Sequence, residues 1–101
     1  MKPEDTDHYL KNFVYISEGS AEYLREKGIA CLAVDALSAD RPGAPIDDHP
    51  VHRTLLPADI LIVEGVDHLE TVEPGRYDVV CTPIPYEDRD GSQVRFLVRS
   101  Q

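Results

Sequence analysis

Two short, unbroken apolar runs constrain this chain more than any other feature. Residues 29–34 read Ile-Ala-Cys-Leu-Ala-Val, and residues 60–63 read Ile-Leu-Ile-Val. Neither alternates with polar residues, so each is expected to be a strand covered on both faces, as in parallel sheets flanked by helices. That pattern predicts an α/β fold, with a mixed sheet and two short helices. In open sheets of this class, ligands gather beyond the carboxyl ends of the strands. Asp35, Ser38 and Asp40 follow the first run, and Glu64 closes the second.

The other elements are placed by local signals. Residues 1–8 read as a mobile polar tail, and residues 9–101 as one domain, complete or partial. Residues 9–16 alternate apolar and polar side chains. Ser17 is a good helix N-cap and Gly28 a good left-handed stop, which predicts a helix over 18–27 with Ala21 and Leu24 inward and Tyr23 beside them. Pro42, Gly43 and Pro45 make a loop. Pro50 suits the first position of a second, short helix that ends before Pro57. Residues 73–76 read as a tight turn. Residues 77–84 read as a third strand, Asp90-Gly91 as a hairpin turn, and residues 93–99 as the returning strand, with Val94, Phe96 and Val98 on one face.

Charge and length exclude several functions. The 101 residues carry a net charge of −9 with scattered basic residues, which argues against nucleic-acid binding. No apolar run approaches the ~18 residues of a membrane span, and the first residues lack a signal-peptide core, so a cytoplasmic protein with no membrane partner is expected. Cys31 and Cys81 sit in apolar stretches without a C-x-x-C neighbour and read as buried, reduced thiols.

The residues with chemical potential are few. On a helix over 50–56, His52 shares a face with Leu55 and Leu56, because positions three and four apart are neighbours. It reads either as a core histidine bonded to backbone or as a site residue. Glu64, directly after four apolar residues, must be paired, protonated or metal-bound if buried, and needs no explanation if exposed. His49 lies three residues before His52 with Asp47 and Asp48 adjacent, a spacing compatible with a divalent metal, although His49 reads equally as a helix cap. Asp35, Ser38 and Asp40 read as turn formers that could line a pocket. His8 and His68 read as surface residues. Phosphate loops, nucleophile elbows and H-E-x-x-H are absent, so covalent catalysis has no support.

The segment from Gly28 to Asp40, Gly-Ile-Ala-Cys-Leu-Ala-Val-Asp-Ala-Leu-Ser-Ala-Asp, resembles the G-(apolar)-x-G-x-D-x-x-S-x-D segment of the cyclase family of metal-dependent hydrolases, which includes bacterial kynurenine formamidases and isatin hydrolases. Val51-His52-Arg53-x-Leu55-Leu56 followed by Ile60-x-Ile62-x-Glu64 is similar to the family's H-x-x-L-L…I-x-I-x-E at the same separation. Gly75-Arg76-Tyr77 and Asp90-Gly91-Ser92-Gln93-Val94-Arg95 resemble its G-x-Y and D-G-x-P-V-R. Ala33 stands where a glycine is common and Gln93 where a proline often sits. The likeness runs from about Tyr9 onward and covers only the family's carboxyl-terminal half. The H-x-G-T-H-x-D-x-P motif of the other half is not in this sequence.

The resemblance implies a swivelling β/β/α-type fold and an amide hydrolase acting on a small molecule. It gives His52 and Glu64 as metal ligands, with His52 also catalytic, around zinc or manganese. Two protein ligands are too few for a catalytic zinc site, so the chain by itself is expected to be inactive. It would be completed by a complementary amino-terminal half or associate with itself. The competing expectation is a non-catalytic, self-associating remnant.

Overall fold

The computed structural model describes residues 3–45 and 47–101. The chain forms two compact units, residues 1–69 and residues 70–101. Among the described residues, three α-helices and two small sheets make a mixed α/β fold, as the apolar runs predict. No helix among the described residues is long and apolar enough to cross a membrane.

The first unit opens with helix α1 (Pro3–Asn12), where the sequence suggested a tail followed by alternating residues. Residues 1 and 2 of that expected tail lie outside the described residues. The spacing of Tyr9 and Phe13 is helical rather than alternating: their ring centroids lie 5.7 Å apart, and Phe13 is buried. The Tyr9 hydroxyl accepts a hydrogen bond from the Leu37 amide at 3.0 Å, and Asn12 Nδ2 donates to the His8 carbonyl at 2.8 Å, closing the last turn.

Helix α2 (Glu18–Lys27) takes the bounds its caps dictate. Ser17 Oγ accepts from the Ser20 amide at 3.1 Å. Gly28 sits at φ 67°, where a side chain would be strained, and its amide donates to the Arg25 carbonyl at 3.0 Å. Ala21 is buried, but Tyr23 turns outward and lies under the Lys27 ammonium, 5.4 Å from its ring centre.

Helix α3 (Pro50–Leu55) passes into a 3-10 turn over Leu56–Ala58. Its inner face carries Val51 and Leu55, both fully buried, whereas Leu56 is half exposed. The expected face of residues 52, 55 and 56 is therefore rotated by one position. Leu56 is still wound as α-helix, its amide donating to the His52 carbonyl, and lies one helical step past the buried face. Val51 and Leu55 pack with Ala21, Ala39 and Ile60 in one cluster, edged by Ile16, Leu24, Leu32 and Ile62. Val51, Leu55 and Ile60 each contribute about 1.5–3 kcal/mol by their burial, and the two alanines less.

Strands β1 (Cys31–Ala33) and β2 (Leu61–Val63) pair in parallel, Leu32 opposite Ile62. The contact extends beyond the strands through Leu61 N to Ala30 O at 3.2 Å and Val34 N to Val63 O at 2.9 Å. Contrary to expectation, these strands are not covered on both faces. Cys31 is exposed and Leu61 is 65% exposed, because side chains alternate across a strand and the helices cover one side.

The second unit is a hairpin of β3 (Tyr77–Pro83) and β4 (Val94–Ser100), paired antiparallel from Tyr77 opposite Ser100 to Pro83 opposite Val94. Among the described residues the strands form one parallel pair and one antiparallel pair. Asp90-Gly91 lies within a longer connection, residues 84–93, closed by Ile84 N to Gln93 O at 3.1 Å. Cys81 is exposed, which corrects the buried reading of this thiol as well. Val79 and Val80 point to opposite faces of the hairpin and are both about half exposed.

Candidate metal centre

The loop after β1 and the start of α3 are joined by one carboxylate. Asp40 is 1% exposed. Its Oδ1 accepts from the Val51 amide at 2.9 Å and its Oδ2 from the His52 amide at 3.1 Å. Those are first-turn amides, which have no partner within their own helix. His49, the residue at the N-cap position, makes no side-chain cap bond, so Asp40 caps the helix from a distant part of the chain.

The same Oδ2 lies 2.6 Å from His52 Nδ1. Burial pushes the Asp40 carboxyl up. The His52 ring, the two amides and the charge of His52 outweigh it and hold Asp40 below the usual carboxylate range. An ionised carboxylate has only lone pairs to offer, so Nδ1 must carry the proton and donate. That fixes both the ring's orientation and its tautomer. The nitrogen left for chemistry is Nε2.

His52 Nε2 lies 2.9 Å from Glu64 Oε1. Glu64 sits one residue past β2, where the chain turns at Gly65 with φ 67° and the Gly65 amide donates to the Ala36 carbonyl at 2.8 Å. Oε1 also accepts from the Ala39 amide at a long 3.4 Å. The His52 and Glu64 side chains are each about one-third exposed, so the pair opens to solvent on one side.

The expected pair, His52 and Glu64, is thus brought together, with the ring held between two carboxylates. With protons on both nitrogens, the imidazolium donates to both. With Nε2 unprotonated, its lone pair faces Glu64, and a cation between them suits the arrangement. Tetrahedral bonds of about 2.0–2.1 Å would set the two donor atoms about 3.3 Å apart. The observed separation needs only a few tenths of an ångström of opening. A ligating histidine whose second nitrogen donates to a carboxylate is also the usual outer support of metal sites. The donor set fits a divalent ion, but as two donors of a larger set.

The other candidates differ in where they lie. The His49 ring meets the His52 ring edge-on with centroids 5.6 Å apart. Asp48 faces Arg41 at 2.6 Å and Arg53 at 3.7 Å rather than either histidine. Asp47 and Asp35 are exposed. Ser38 Oγ accepts from the Asp40 amide at 3.1 Å, the turn role expected of it. His8 is exposed, and His68 lies in an exposed pair with Asp67. The residue that sequence reasoning undervalued is Asp40, read as a turn former. Its partners are eleven and twelve residues further on, and no local spacing reveals them.

Comparison with known proteins adds an independent finding. Over 81 residues, 78% of this chain, the sequence is 38% identical to a curated protein of Bacillus anthracis and to one of Bacillus mycoides. Over 87 residues, 84% of the chain, it is 34% identical to a protein of Geobacillus thermodenitrificans. All three are kynurenine formamidases. The matched regions amount to 36–39% of those kynurenine formamidases, so the chain spans little more than a third of their length. No family model matches the chain. Its likeness to the kynurenine formamidases is that of one portion of a formamidase-type hydrolase.

Proposed function

We propose that this chain is the carboxyl-terminal portion of a cyclase-family amide hydrolase of the formamidase type. In this reading His52 Nε2 and Glu64 supply two donors to a divalent centre of zinc or manganese. The observation that carries it is the 2.9 Å approach of Nε2 to Glu64 while Nδ1 is tied to a buried, ionised Asp40. The similarity to kynurenine formamidases over most of the chain supports this reaction class. A divalent ion, when bound, acidifies a water and polarises a carbonyl.

The chain's own residues hold and orient. Asp40 keeps the imidazole in one tautomer and anchors the helix that carries it. Glu64 balances cationic charge beside Nε2. With no ion between them, Nε2 and Glu64 Oε1 lie within hydrogen-bond reach at 2.9 Å. Two protein donors fall short of the three that catalytic zinc sites usually have. The remaining donors come from a complementary portion or a second copy, and the chain alone is inactive. The test is metal analysis of the purified protein with a formanilide hydrolysis assay, with and without added Mn²⁺ or Zn²⁺, on wild type and His52→Ala. Metal retained in full by the variant would refute the ligand assignment.

A second reading, a self-associating protein without catalysis, is favoured by the hairpin. An isolated two-stranded hairpin is marginal in water, and this one exposes Val79, Val80, Leu97 and Val98. Light scattering decides it: self-association gives a mass above 11.3 kDa, and a monodisperse monomer removes this reading.

A further inference from the structure

Asp90-Gly91 is a turn signal that lies in the long connection between β3 and β4 rather than in a two-residue turn. The ends of that connection are tied. Ile84 N donates to Gln93 O at 3.1 Å, Tyr86 N to Ile84 O at 2.9 Å, and the Tyr86 hydroxyl to Gln93 Oε1 at 3.3 Å. Between those ties Asp90 and Gly91 are exposed. Among the described residues, no hydrogen bond or ion pair holds the Asp90 carboxylate or the Gly91 amide.

An aspartate can react with the backbone amide that follows it. The nitrogen attacks the side-chain carbonyl carbon, and a five-membered imide closes. The attack needs an amide not committed to an acceptor. It also needs a following residue that leaves the approach open and the backbone free to turn, which glycine does best. Asp90 is the only aspartate that precedes a glycine. Elsewhere the nucleophile is engaged: the amides after Asp47 and Asp59 donate to Pro45 O at 2.9 Å and to Leu55 O at 3.1 Å. Asp78 and Val79 are held in the ladder opposite Arg99 and Val98. The one asparagine, Asn12, precedes Phe13, and its side-chain amide donates to the His8 carbonyl at 2.8 Å. A Cβ added at Gly91 would meet nothing within 4 Å, so the space around the reacting bond is open.

We propose that Asp90 is a site of spontaneous isomerisation to isoaspartate. A bond forms between Gly91 N and Asp90 Cγ. The Cγ–OH bond of the protonated carboxyl breaks, and the hydroxyl leaves with the amide proton as water. Water then adds back to the imide. Opening at the former side-chain carbonyl restores aspartate. Opening at the main-chain carbonyl leaves the chain running through Cβ and Cγ, one methylene longer, with the carboxylate on Cα. Nothing is oxidised or reduced, and water is the sole co-reactant. Exposed loop tips are where a chain accommodates added length.

The full chain is aged for weeks in neutral buffer and digested with trypsin, which releases residues 90–95 by cutting after Arg89 and Arg95. Chromatography separates the isoaspartyl and aspartyl peptides of equal mass, and freshly purified protein gives the background from digestion. The result expected is isoaspartate that accumulates with time at residue 90, together with an imide form lighter by one water. Gly91→Ala should slow accumulation at least tenfold. Asp90→Asn, which loses ammonia in place of water, should speed it at least fivefold. Circular dichroism checks that both variants keep the wild-type fold. No isoaspartate at residue 90 above the fresh background, an unchanged rate in folded Gly91→Ala, or no acceleration in Asp90→Asn would overturn the inference.

Discussion

His52 Nδ1 lies 2.6 Å from Oδ2 of Asp40, a carboxylate that also accepts the two amides opening the helix on which His52 sits. One buried acid therefore starts the helix, sets the ring's tautomer and turns Nε2 toward Glu64. Structure and candidate chemistry depend on the same group.

Asp40→Ala should destabilise the protein by about 3 kcal/mol, since it leaves buried amides and an imidazole N–H without their acceptor. Urea unfolding reads the loss. A change under about 0.5 kcal/mol would show that the cap and ring contacts carry little free energy.

The pH dependence has a defined sign. Asp40 is lowered on folding, so its contribution is fully present above the unfolded carboxyl value, near 3.9, and is lost as pH falls through the lower folded value. The urea midpoint of the wild type should fall more steeply below about pH 4 than that of Asp40→Asn. Parallel curves for the two proteins would contradict this.

The rotated face of α3 can be tested directly. Leu55→Ala, at a fully buried position, should cost about 2–5 kcal/mol. Leu56→Ala, half exposed, should cost well under half as much. Equal losses in thermal or urea unfolding would restore the face read from spacing alone.

Gly28→Ala places a side chain at φ 67°. It should cost about 1 kcal/mol through left-handed strain, measured by the shift in urea midpoint. An unchanged midpoint would mean the cap relaxes without cost.

What the sequence reveals here depends on distance along the chain. Helix α2 is legible because Ser17 and Gly28 act on their own neighbours. The pairing of His52 with Glu64 enters through the resemblance, which gives both residues to one centre, while the apolar pattern places only the elements they adjoin. Asp40 is not, since its partners are defined only once the loop after β1 folds onto α3. Leu56 is misplaced because the apolar spacing of 52, 55 and 56 does not say whether the 51/55 or the 52/56 side of the helix meets the core. The exposed sides of β1 and β2 escape prediction because an apolar run does not say which element covers each face. Tyr9 and Phe13 fit both an alternating and a helical pattern, and the bond from the Leu37 amide to Tyr9 is a tertiary contact.

The central claim is that Nε2 of His52 and the Glu64 carboxylate hold a cation together. Calorimetric titration with Mn²⁺ and Zn²⁺ of wild type, His52→Ala, Glu64→Gln and His68→Ala, the last removing an exposed histidine outside the site, tests it most directly. The account predicts saturable uptake by wild type and His68→Ala, weakened at least tenfold in His52→Ala and in Glu64→Gln. Affinity that is unchanged in those two variants, or lost instead in His68→Ala, would contradict it.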